Sequence, residues 1–72
     1  MEEKYDVGKI IAQARKNKKF TQQDLARLLN VSDKTVSAWE TGKNYPDLGV
    51  IKNISKYLDI DLISILADKK NN

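Results

Sequence analysis

Lys34, Ser37, Ala38 and Thr41 recur at intervals of three and four residues, so at roughly 100° per residue they share one face of a helix. That face is small and polar, suited to entering a groove and not to filling a core. Lys34, in the second helical position, could donate to guanine O6 or N7 in a DNA major groove. Phosphate contact or plain solvation is its bland alternative. Ser37 offers a hydroxyl and Ala38 a methyl for thymine, though either could be small merely to permit close approach. Asp33 is ambiguous, because its carboxylate is repelled by phosphate yet could accept from a cytosine amino group; more often such an Asp only favours the helix N-terminus.

Two short amphipathic patterns must position these groups. Residues 21–42 read TQQDLARLLNVSDKTVSAWETG, with only Asn30 and Val31 between the two helices. Thr21 caps the first, with Asp24 as its capping-box partner, and Ser32 caps the second. The spacing predicts helices over 22–29 and 33–41, a helix-turn-helix. Leu25, Leu28 and Leu29 form the inner stripe of the first, and Ala26 sits where crossing helices need a small side chain. Val36, Trp39 and Glu40 form the inner face of the second.

Backbone anchoring calls for other groups. Gln22 joins a side-chain amide to the free N–H groups of a helix start, a natural phosphate site. Ser32 and Thr35 add hydroxyls at the next helix start. Lys43, Asn44 and Tyr45 follow the second helix and could clamp another phosphate, or be ordinary turn residues. Arg15 leans toward the inner side of helix 1, four residues after Ile11, and a partly buried ion pair with Glu40 would satisfy both. Solvation of each separately is the alternative.

The remaining pattern is helical throughout. Helix 1 is expected over about 6–18, with Val7, Ile10, Ile11, Ala14 and the stem of Lys18 as its stripe. Gly42 ends helix 3, and Pro46 keeps the following loop from continuing it. Asp47 caps helix 4, whose stripe is Leu48, Ile51, Ile54 and Leu58, and Asp61 opens a short helix 5 through Leu66. The expected core is Ile10, Ile11, Ala14, Leu25, Leu28, Val31, Val36, Trp39, Ile51, Ile54 and Leu58. Helix 5 is apolar on more than one face. Leu62, Ile63, Ile65 and Leu66 either all curl over the core or leave a remainder for a two-fold seam.

Composition narrows the function. A chain of 72 residues that is 40% hydrophobic can bury one modest core. The expectation is one domain over 1–72, with its core at about 7–66 and a frayed tail at 67–72. Without His or Cys the usual zinc, thiol and general-base chemistry is missing, and Ser32, Ser37 and Ser64 have no base partner. No enzyme, metal or cofactor is therefore expected. The start MEEKYD is not a signal peptide and no apolar run approaches a membrane span, so a cytoplasmic location away from membranes is expected. All of the net charge of +3 lies in residues 1–46, where nine Lys and Arg face six acids. Its densest cluster, Arg15-Lys16-Asn17-Lys18-Lys19, opposes the negative end of the helix 1 dipole. Joined to the motif, it favours a polyanion partner.

Taken together, Thr21-Gln22-Gln23-Asp24-Leu25-Ala26, Val31-Ser32, Val36-Ser37-Ala38-Trp39-Glu40-Thr41-Gly42-Lys43 and Pro46 resemble the phage-repressor and Cro-like helix-turn-helix regulators, the XRE family, over about residues 7–66. Asn30 departs from the pattern, standing where that family most often has Gly. As the best non-glycine residue for a left-handed turn, it should cost little. The resemblance implies an all-α, five-helix lambda-repressor-like fold and turns Ser37 and Ala38 toward the groove, where with Lys34 and Asp33 they are the expected base readers. It also implies a phosphate role for Gln22 and strengthens the Arg15–Glu40 pair. The function implied is a sequence-specific transcriptional regulator, a repressor, bound to double-stranded DNA as a homodimer on an inverted repeat. The alternative is an antitoxin-like module of the same fold that masks a partner toxin.

Overall fold

The computed structural model describes residues 6–70, with side chains through residue 66. Five helices follow in order: α1 (Val7–Asn17), α2 (Gln22–Leu29), α3 (Asp33–Thr41), α4 (Leu48–Leu58) and α5 (Leu62–Lys70). Each start is written in a local cap. Asp6 accepts from the Lys9 N–H, Ser32 from Thr35, Asp47 from Val50 and Asp61 from Ser64. Thr21 and Asp24 close a reciprocal capping box, with the Asp24 N–H donating to Thr21 Oγ1 at 3.0 Å and the Thr21 N–H to Asp24 Oδ2 at 2.8 Å. The turn between α2 and α3 places Asn30 in the left-handed region at φ 60°, and Gly42 ends α3 at φ 82°. Lys19 and Asp59 take the same conformation at φ 67° and 59° without glycine's freedom.

α3 packs against both α1 and α2, and α4 against α5, α2 and α1. Between them lie Val7, Ile11, Ala14, Leu25, Ala26, Val36, Trp39, Ile51, Ile54, Leu58 and Leu62. Four expectations need correction. Leu28 is exposed, because α2 meets its neighbours through Leu25, Ala26 and Leu29, which turns Leu28 toward solvent. Leu48 is exposed too, since Val50 and not Leu48 packs at the start of α4. Ile10 and Val31 are only half-buried at the edge of the core. Finally, α5 runs past its expected end at Leu66 to Lys70, each helical residue adding a backbone bond once the first turn is anchored. Residues 71–72 lie outside the described residues.

α5 divides its apolar side chains. Leu62 is fully buried and Leu66 packs on the core, while Ile63 is exposed and Ile65 half-buried. No helix among the described residues is long and apolar enough to cross a membrane.

Candidate nucleic-acid interface

The outward face of α3 carries a recess of about 310 Å³ lined by Lys34, Ser37, Ala38, Thr41 and Lys43. Three of the four expected base readers thus share one site. Asp33 stands apart, lining two recesses on the α2 side, both shared with Gln23. Thr41, which the sequence puts on the reading face without assigning it a contact, donates its hydroxyl to the Ser37 carbonyl at 2.9 Å. The same face therefore has its C-terminal end tied to its own backbone.

A buried fork ties this helix to the others. Arg15 Nε and Nη2 donate to Glu40 Oε2 and Oε1 at 2.7 and 3.1 Å, and Nη1 donates to the Phe20 carbonyl at 2.7 Å. The two side chains are 11% and 7% exposed. Gln22 joins them, its Nε2 donating to Glu40 Oε1 at 3.0 Å. The pair expected from the sequence therefore forms, and it also fixes Gln22. That bond uses one of the two hydrogens on its amide nitrogen.

The other anchor candidates differ in what they have left to give. Ser32 Oγ and Thr35 Oγ1 lie 3.0 Å apart, and Ser32 Oγ also accepts the Thr35 N–H. If one hydroxyl donates to the other, a single O–H of the pair is left for a phosphate. Asn44 is held by its backbone N–H on the Ala38 carbonyl, leaving its exposed side chain free, and Tyr45 is 66% exposed. At the corner of α1 and α2 a wider recess of about 660 Å³ is lined by Lys16, Lys19, Gln22 and Gln23, among others. In the first turn of α2, Thr21 takes the Asp24 N–H, and the N–H groups of Gln22 and Gln23 are beyond the reach of any intrahelical bond. The sequence marks Lys16 and Lys19 only as part of a basic cluster. Gln23 carries no signal that sets it apart from other surface amides.

Geometry and sequence converge on one class. A family model described as helix-turn-helix matches residues 11–65, and the chain belongs to that family, the XRE-type helix-turn-helix proteins. It is 37% identical over 60 residues to the HTH-type transcriptional activator BcrR of Enterococcus faecalis, covering 83% of this chain and 29% of that protein. It is 36% identical over 61 residues to the uncharacterized HTH-type transcriptional regulator YqaE of Bacillus subtilis, covering 85% and 53%. An endothelial differentiation-related factor 1 homolog of Danio rerio is 37% identical over 57 residues, 79% of this chain and 39% of that protein. The chain thus spans about half or less of each of these relatives.

Proposed function

We propose that the chain is a sequence-specific, double-stranded-DNA-binding module of a transcriptional regulator, with α3 seated in the major groove. The observation that carries this reading is the outward recess of α3, lined by Lys34 and Lys43 together with the small side chains of Ser37, Ala38 and Thr41. Flanking it, Gln22, the Ser32–Thr35 pair, Asn44 and Tyr45 supply phosphate contacts on either side, which set the depth and tilt of the helix. Asp33 is a fourth base reader, reaching a neighbouring pair from the α2 side. The names of the two bacterial relatives, both transcriptional regulators, support the same reading. Control in either direction fits this geometry, since a bound module obstructs or recruits according to where its site lies; repression by occlusion requires nothing more than occupancy.

A second copy of the chain completes the operator-bound form. Ile63 at 38% exposure and Tyr57 at 37% offer an apolar seam on α4 and α5. A two-fold axis there would set the recognition helices about 34–36 Å apart, one DNA turn, on an inverted repeat. Ile63→Asp is then expected to weaken operator binding while leaving the fold intact, and sedimentation of a monomer both free and on DNA would remove the seam. Selection from random duplexes, followed by titration at several salt concentrations, tests the function itself. Specific affinity that falls with salt is the expected result. No DNA affinity even at low salt would replace this reading with the protein-interaction module.

A further inference from the structure

Lys34 and Lys43, expected to serve a base edge and a phosphate respectively, line the same recess. Gly42 turns the chain back with its left-handed φ of 82°, and the N–H groups of Lys43 and Asn44 both donate to the Ala38 carbonyl, at 2.9 and 3.3 Å. Lys43 is thereby held over the last turn of α3. From Lys34 to Thr41 the helix advances about 10 Å at 1.5 Å per residue, and laid along the obliquely climbing major groove that length covers about two to three base pairs.

The chemistry of the recess is one-sided. Two lysines, Lys34 and Lys43, line it together with Ser37. Thr41 has already spent its hydrogen on the Ser37 carbonyl. Among the described residues no carboxylate lines it: Asp33 faces the α2 side and Glu40 is held by Arg15 and Gln22. A donor-rich recess matches an acceptor-rich edge. In the major groove guanine presents two adjacent acceptors, N7 and O6, and no donor; adenine and cytosine each present an amino group that an ammonium repels, and thymine offers the single acceptor O4 beside a methyl group.

We propose that the α3 recess is a guanine-reading site in which both lysines act on bases, Lys34 and Lys43 donating from its two ends to guanines about two to three base pairs apart. Lys43 is then a specificity residue and not merely a phosphate clamp. The proposal rests on the DNA-binding reading above.

The test uses the full chain and the duplex returned by random-site selection, with 7-deazaguanine, which lacks the N7 acceptor, substituted at one guanine at a time. Two guanines at the stated separation are expected in the half-site. Lys43→Ala is expected to weaken binding to that duplex about 5- to 150-fold, and the loss is expected to shrink several-fold when one particular guanine is the deaza analogue. Lys34→Ala is expected to show the same pattern at the other guanine. Both side chains are exposed, so unchanged thermal melts are expected for the two variants. A selected half-site without the two guanines overturns the proposal. So does a Lys43→Ala loss that is equal on selected, deaza-substituted and scrambled duplexes, which would make Lys43 a phosphate clamp and leave DNA recognition standing. Wild-type chain that binds no duplex at low salt overturns the DNA-binding reading and this inference with it.

Discussion

Removing Glu40 strands Arg15, and the structure allows the cost to be worked out. In Glu40→Ala the guanidinium loses its bonds to both carboxylate oxygens, at 2.7 and 3.1 Å, in a site where the side chain is only 11% exposed. Breaking a buried ion pair from one side costs about 3–5 kcal/mol. The remaining bond to the Phe20 carbonyl, at 2.7 Å, holds the value near about 3 kcal/mol. A domain of this length has about 4–11 kcal/mol of stability in total, so the variant is expected to stay folded at 25 °C but to melt about 12–24 °C lower. Trp39, the sole tryptophan and 5% exposed, reports the transition by fluorescence during urea unfolding. The double variant Arg15→Met, Glu40→Leu is expected to regain much of the loss, because no charge is then left buried. A Glu40→Ala cost below about 1 kcal/mol, the range of an exposed pair, would refute the reasoning and mean that water reaches the fork.

Three further outcomes are expected. Gly8→Ala puts a Cβ 2.4 Å from the Trp39 carbonyl oxygen and 2.7 Å from that of Glu40, so urea unfolding is expected to register a loss of about 1–3 kcal/mol; Gly49→Ala meets nothing nearer than 3.6 Å and is expected to gain about 0.5 kcal/mol. Lys19→Gly relieves a side chain held at φ 67° and is expected to raise stability by about 1 kcal/mol in the same assay. Bonding from the Thr21 N–H, then the Thr21 hydroxyl, then the nearby Arg27 holds the Asp24 carboxyl below its ordinary value of 3.8. A carboxyl lowered in the folded state contributes stability above its unfolded value that is lost as pH falls through the folded one. Acid unfolding of Asp24→Asn is therefore expected to show a shallower dependence below about pH 4.

The helices were legible because their starts are local. A hydroxyl or carboxylate placed before each apolar stripe satisfies the N–H groups that no intrahelical bond can reach, and that chemistry needs no tertiary information. Direction was harder. Leu28 and Leu48 keep helical spacing with buried neighbours, but spacing alone does not say which edge of a stripe a partner helix covers, and both emerge exposed. Gly8 carries no periodic signal; its role appears only when the carbonyls ending α3 are seen against it. Nor could Lys19 and Asp59 be read as left-handed, since only a glycine or asparagine advertises that turn. Helical spacing alone was enough to bring Lys34, Ser37 and Ala38 to one recess. Lys43 joins them through a fold-back onto the Ala38 carbonyl.

The buried fork explains how a small core can hold α3, the proposed reading helix, at a defined angle. Leu25, Val36 and Trp39 bury α3 against its neighbours, but apolar burial is non-directional and tolerates small rotations at little cost. A planar guanidinium bonded to both oxygens of a carboxylate does not, because its donors lie in a fixed fork. Glu40 is followed immediately by Thr41 of the recess, and its carboxylate reaches Arg15 on α1 and Gln22 at the head of α2. Rotating α3 enough to re-aim Lys34 would break bonds to two other helices at once. An apolar replacement of the fork could match its stability, but it would not orient Gln22. The same carboxylate thus joins the proposed phosphate anchor to the reading face, and ties how α3 is packed to where it points.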